Sequence, residues 1–203
     1  TPLARLKVSL AMMEKSGHEE SPYLNEMSQD IHEIETLIDE MLTYGRLEAT
    51  ESPLNLESVN VTQLINNLCD KLNRGNDKPI SILCPDNLKF ECDGHLLERA
   101  LQNLLINGQR HAQSAVQLKV EPQESNLFFN IQDDGPGIPR ASRDAIFSPF
   151  TRLEQSRNKS SGGFGLGLAI VKKIAEWHGG SITLLSSEQP GAIFELKLPK
   201  ANP

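Results

Sequence analysis

Apolar residues over the first fifty positions recur at helical intervals. Leu3, Leu6, Leu10 and Met13 are separated by three or four residues, the spacing of one helix face. Ser16-Gly17-His18 interrupts the run. Ser21-Pro22 restarts it, with proline in a first turn whose N–H has no helical partner in any case. The second run places Leu24, Met27, Ile31, Ile34, Ile38 and Met41 at steps of 3, 4, 3, 4 and 3, the seam of a coiled coil. Leu37 and Leu42 widen this stripe. A hairpin so small cannot bury so wide a stripe within itself. The pattern therefore predicts pairing with a second hairpin as a four-helix bundle, hence a homodimer. Packing against the rest of the same chain is the alternative, but a strict 3.5-residue repeat favours a helix–helix seam.

The periodicity stops at Ala49-Thr50-Glu51-Ser52-Pro53. The reading is a hairpin unit over 1–48, a linker over 49–53 and a second unit over 54–203. In that second unit the two periods mix. Residues 54–59, 79–84, 88–92, 116–120, 127–131, 181–185 and 192–198 read as strands, whereas Leu64, Ile65, Leu68 and Leu72, then 96–111 and 166–178, read as helices. Helices cluster beside antiparallel strands rather than alternating with them strictly. The class is α+β, a mixed or antiparallel sheet packed on helices.

Charge and composition narrow the functions. The 203 residues are 38% hydrophobic and 23% charged, with net charge −7. Such a balance argues against a general nucleic-acid or anionic-membrane surface, which needs clustered Lys and Arg. Cys69, Cys84 and Cys92 have no Cys-x-x-Cys spacing, so they read as reduced thiols rather than a metal or disulfide framework. No run is long enough to span a bilayer, and no signal peptide is visible. The chain opens on Thr1-Pro2 without a methionine, so it reads as a piece of something longer.

Three segments carry candidate chemistry. In Ile131-Gln132-Asp133-Asp134-Gly135-Pro136-Gly137-Ile138-Pro139, a strand ends in an acidic pair and two spaced glycines. An aspartate at a strand end can accept from an exocyclic amine such as that of adenine, and glycine allows close backbone approach. A plain hairpin turn would use the same residues. Ser161-Gly162-Gly163-Phe164-Gly165-Leu166-Gly167-Leu168 leads into a helix. Glycines let backbone N–H groups crowd an anion, and a helix N-terminus adds partial positive charge. The segment has neither the Gly-Lys-Ser/Thr of a P-loop nor the preceding strand of a dinucleotide fingerprint. On the helix over 96–111, Leu97, Leu101, Leu104 and Leu105 form an apolar face, while Asn103 and Asn107 share another, with Arg110 near it. Amide oxygens suit Mg²⁺ beside nucleotide phosphates, and Arg110 suits phosphate itself. Read singly, such a helix face is merely solvated.

Taken in this order, the three segments resemble the sensor histidine kinases of bacterial two-component systems, whose ATP-binding domain has the Bergerat (GHKL) fold. Asn103 to Asn107 is similar to the N box, Asp133-x-Gly135-x-Gly137 to the G1 box, Phe147-Ser148-Pro149-Phe150 to the F box, and Gly163-Phe164-Gly165-Leu166-Gly167-Leu168 to the G2 box. The resemblance implies ATP and Mg²⁺ as ligands. It implies that Asp133 holds the adenine amino group, Asn107 ligates Mg²⁺ beside Asn103, Arg110 faces phosphates and His111 lies against the nucleotide. Gly135, Gly137 and Ile138 would also bind ATP. Residues 148–162 would form a mobile lid anchored by Phe147 and Phe150. Gly163, Gly165 and Gly167 would close over the phosphates, and Phe164, Leu166 and Leu168 would bind ATP beside them.

The first unit resembles the dimerisation and phosphotransfer hairpin, in which His-Glu-x-x precedes Thr-Pro-Leu. The resemblance places the phosphoacceptor histidine just before Thr1 and gives Thr1 a role in dephosphorylating the partner. That partner would be a response-regulator receiver domain, of the OmpR type, and the whole a cytoplasmic portion of an inner-membrane protein whose anchor lies outside this sequence. His32-Glu33-Ile34-Glu35-Thr36 also spells His-Glu-x-x-Thr, but no proline follows; it reads as a solvated helix face. His95 and His178 read as surface or structural residues. Ala192 stands where a threonine is common, which puts a phosphate contact from that position in doubt. A different GHKL ATPase, or a dimer that only binds nucleotide, is the alternative function.

Overall fold

Five strands in the order β2-β4-β5-β7-β6 form the sheet on which the molecule is built. The computed structural model describes residues 6, 8, 22–49, 54–152, 164–186 and 190–200. The expected first helix (apart from Leu6 and Val8, both helical), the side chain of Leu24, linker residues 50–53, Thr1 and Gly163 lie outside them. The elements are α1 (Pro22–Glu48), β1 (Glu57–Asn60), α2 (Val61–Asn73), β2 (Ile80–Leu83), β3 (Lys89–Cys92), α3 (Gly94–His111), β4 (Val116–Pro122), β5 (Asn126–Asp133), α4 (Gly167–Trp177), β6 (Ser181–Leu185) and β7 (Ile193–Pro199). Two single 3₁₀ turns, Arg140–Ser142 and Ala145–Phe147, lie between β5 and α4.

Strand β2 runs parallel to β4, and the other neighbours in this sheet are antiparallel. A separate ribbon pairs β1 with β3. The α+β reading with a mixed sheet packed on helices is therefore observed. Period-two alternation decides which face is buried. Val116, Leu118 and Val120 of β4, Leu127, Phe129 and Ile131 of β5, and Phe194, Leu196 and Leu198 of β7 all enter one core. Helices α2, α3 and α4 cover that face. Asp133 is the next inward position after Ile131, so the same alternation aims a carboxylate at the core side where the strand ends.

Helix α1 lies against α4. Leu47 is 4% exposed, and the indole Nε1 of Trp177 donates to its carbonyl at 3.1 Å. Lys173 pairs with Glu48 at 2.7 Å, and the Tyr44 hydroxyl donates to the same carboxylate. The seam residues Met27, Ile34, Ile38 and Met41 are exposed, as is Leu42, whereas Ile31 is buried. At 100° per residue, Glu40 and Leu47 stand roughly opposite Ile38 on this helix. The packing against the rest of the chain thus exists, but it uses a face other than the seam. Among the described residues no helix is long and apolar enough to cross a membrane. The three cysteines are free thiols; burial pushes Cys69 up to about 11 and Cys92 to about 12.

Candidate nucleotide site

One cavity opens where α3, the end of β5, the start of α4 and α1 meet. Helix α3 begins at Asp93, whose carboxylate accepts from the N–H of Leu96 at 3.1 Å, a cap that satisfies one orphan donor. Its leucines 97, 101, 104 and 105 are fully buried, which turns Asn103, Asn107 and Arg110 outward to the cavity. The Nδ2 of Asn103 donates to the carbonyl of Gly167 at 3.4 Å, tying α3 to the first residue of α4. Helix α4 has no side-chain cap at its N-terminus, so its leading N–H groups keep their partial positive charge.

Asp133 is 4% exposed. Its Oδ1 accepts from the N–H groups of Gly135 at 2.9 Å and Ala192 at 3.3 Å. Burial raises its pKa, and the two backbone bonds oppose the rise. Asp134 points the other way: it accepts from the N–H groups of Gln113, Ser114 and Ala115 and from the Ser114 hydroxyl, which holds it well below the usual carboxylate range. This clamps the turn after β5 to the loop after α3. Gly191, at φ +111°, crosses so near the Asp133 carbonyl that a β-carbon there would collide with it. Burial lowers the pKa of His111, and neighbouring Arg110 lowers it further. Arg110 remains exposed by area, yet the surrounding protein still depresses its pKa, with Glu40 opposing.

Asn103, Asn107, Arg110, His111, Asp133, Gly137, Ile138, Phe164, Gly165, Gly167 and Leu168 line the cavity together. Four other expected residues are not part of the lining. Gly135 is buried beneath Asp133. Leu166 is 1% exposed in the core. Phe147 packs edge-on against Phe194, with centroids 6.3 Å apart. The Phe150 side chain is 60% exposed, so the expected aromatic anchor is instead a backbone one: its N–H donates to the Gly165 carbonyl at 2.9 Å. Gly165 lies at φ +75°, and a β-carbon would stand 2.7 Å from the Thr151 carbonyl. Pro136 of the glycine turn, Thr151 and Arg152 of the expected lid, and Ala192 also line the cavity, as do Ile106, Ile146 and Phe194, which sequence reasoning missed. From α1 come His32, Glu33, Thr36 and Glu40. His32 is exposed, as expected, but on the cavity rim; the Thr36 hydroxyl donates to the His32 carbonyl. His178 is structural: its ring joins the N–H of Asp93 to the carbonyl of Ile174.

Comparison with known proteins agrees with this geometry. Residues 92–202 match the family described as "Histidine kinase-, DNA gyrase B-, and HSP90-like ATPase". The chain is 38% identical over 210 residues to Sensor protein RstB of Escherichia coli (strain K12), covering 98% of this chain and 46% of RstB. It is 32% identical to Sensor protein KdpD of the same strain, covering 87% of this chain and 20% of KdpD. It therefore spans less than half the length of either relative. Full-length ShkA, solved in complex with AMPPNP, superposes over 100% of this chain and 44% of its own at a TM-score of 0.82, with 23% identity, a likeness of fold. The chain belongs to the family of histidine kinase-, DNA gyrase B- and HSP90-like ATPases, and the relatives it resembles over most of its own length are named sensor proteins.

Proposed function

We propose that this chain is the cytoplasmic core of a two-component sensor histidine kinase, which binds Mg-ATP in the cavity and passes its γ-phosphoryl group to a histidine. The observation that carries the reading is the convergence of Asp133, of Asn103, Asn107 and Arg110, and of Gly165 and Gly167 on one cavity. The relatives' names favour it over a GHKL ATPase that hydrolyses ATP for conformational work.

In this reading Asp133 accepts from the adenine amino group through Oδ2, because Oδ1 is already engaged by two backbone donors. His111, kept neutral by its surroundings, lies beside the nucleotide. Arg110 meets phosphate oxygens, and the uncapped start of α4 with Gly165 and Gly167 supplies N–H groups to them. The amide oxygens of Asn107 and Asn103 are hard donors that fit Mg²⁺, and both line the cavity. When bound, the ion would neutralise phosphate charge. A loose phosphoryl-transfer transition state needs positioning and charge neutralisation more than covalent help. The γ-phosphorus exchanges its bond to the bridging oxygen of ADP for one to an imidazole nitrogen.

The acceptor histidine precedes Thr1 in this reading. The phosphoryl group then goes to an aspartate of a response-regulator receiver domain, of the OmpR type, and Thr1 assists the reverse dephosphorylation. Residues 1–48 form the dimerisation hairpin, 49–53 the hinge and 54–203 the catalytic unit. The exposed row of Met27, Ile34, Ile38 and Met41 supports a four-helix dimer through the hairpin. The membrane anchor belongs to segments outside this sequence. Asn107→Ala tests the site: calorimetry should show Mg-dependent ATP binding lost and adenosine binding retained. Unchanged affinity for Mg-ATP would remove Asn107 from the phosphate end.

A further inference from the structure

Helix α1 brings an acidic side chain to the phosphate end of the cavity. Glu40 lines it together with Arg110, and its Oε2 is buried without a hydrogen-bond partner among the described residues. The Nε of Arg99, on the same face of α3 as Arg110 and about three turns before it, is likewise buried and unbonded. Burial raises the pKa of Glu40, while Arg99 and Arg110 both draw it back, so both guanidinium charges act on this carboxylate. A buried carboxylate oxygen without a hydrogen-bond donor is costly to place. What places it is packing elsewhere on the helix: buried Leu47, the Trp177 bond to the Leu47 carbonyl, and the Lys173–Glu48 pair.

We propose that Glu40 is a specificity-determining residue of the nucleotide cavity: while α1 is docked, its carboxylate competes with nucleotide phosphates for Arg110. The proposal rests on the nucleotide reading above and deepens it. Phosphate groups and the carboxylate are like charges seeking the same cation in a partly desolvated space, where repulsion is only weakly screened. The adenine end is at Asp133, and the charged groups acting on Asp133 are His111 and Asp134, not Glu40. Docked α1 therefore discriminates against phosphate charge but not against the base. Linkage makes the effect reciprocal: whatever docking costs triphosphate binding, triphosphate binding costs docking by the same factor. A charged ligand then loosens the helix that carries the dimer seam, and a neutral nucleoside does not.

The molecule contains its own reporter, because Trp177 is the only tryptophan and its indole bonds α1. Adenosine, ADP and Mg-ATP are titrated into the 203-residue chain and into Glu40→Gln, with the indole Nε1–H resonance followed in both. In Glu40→Gln the affinity for ATP should rise by roughly tenfold, a shift of about 1.4 kcal/mol. ADP should gain less, and adenosine should be unchanged. Saturating ATP should move the wild-type indole resonance toward that of a solvent-exposed indole, and adenosine should leave it in place. Glu40→Ala should shift ATP affinity in the same direction, which guards against a local effect of the glutamine amide. An unchanged ATP-to-adenosine affinity ratio in both variants, or a wild-type indole unmoved by saturating ATP, overturns the proposal while adenosine still binds. Failure of the wild-type chain to bind adenosine at all overturns the nucleotide reading itself and this proposal with it.

Discussion

Helices α3 and α1 both wall the cavity, and they are held there by different means. Leu97, Leu101, Leu104 and Leu105 sink α3 into the core, so Asn103, Asn107 and Arg110 are positioned by the same packing that holds the sheet. Helix α1 is attached chiefly through its last turns, by Leu47, Tyr44 and Glu48 against α4. Its seam residues Ile34 and Ile38 remain 46% and 44% exposed. One wall is part of the fold, and the other is docked onto it. A docked wall can leave without unfolding what it covers, which would suit the proposed transfer of a phosphoryl group to a histidine on another unit.

Substitutions in the two walls should separate these cases when unfolding of the sheet-and-helix unit is followed in urea. Leu104→Ala removes a fully buried side chain from the built-in wall and should cost about 2–5 kcal/mol, with the midpoint falling accordingly. A loss as small as that of a surface change would mean that α3 is not anchored as described. Trp177→Phe keeps an aromatic ring but deletes the bond to the Leu47 carbonyl, a loss of about 0.5–1.5 kcal/mol. That loss should fall on α1 docking, read as faster amide exchange in α1 with α3 unaffected. Ile34→Asp should change unfolding by no more than about 0.5 kcal/mol, because the residue is exposed in the protomer. It should nevertheless give monomers in sedimentation velocity; a persistent dimer would reject the seam as the dimer interface.

The same contrast explains what the sequence made legible. Strands β4, β5 and β7 alternate cleanly because one face is buried, so their cores and the inward aim of Asp133 follow from period two. The parallel pairing of β2 with β4 does not follow, because it depends on where long-range order places β2 rather than on any local signal. Asn103, Asn107 and the glycine loop were legible as motif residues whose side chains or flexibility do the chemistry. Ala192 was legible only as a departure from a threonine, since its part is a backbone N–H given to Asp133. The α1 wall was hidden for a plainer reason. A polar helix face has the same pattern whether it meets water or a cavity, so His32, Glu33 and Thr36 read as solvated and Glu40 does not stand out at all. At Phe150 the sequence suggests an aromatic contact, whereas what the structure adds is a backbone one: at φ +62° its N–H meets the Gly165 carbonyl.

The central claim is that the cavity at the end of β5 recognises an adenine base through Asp133. Calorimetric titration of adenosine into the wild-type chain and into Asp133→Asn tests it without phosphate, metal or α1 in play. The amide keeps the shape but replaces one acceptor by a donor facing the base's amino group. Adenosine affinity should fall by roughly a hundredfold, the scale expected when a buried polar partner is mismatched. Equal affinity in the two proteins would contradict the account.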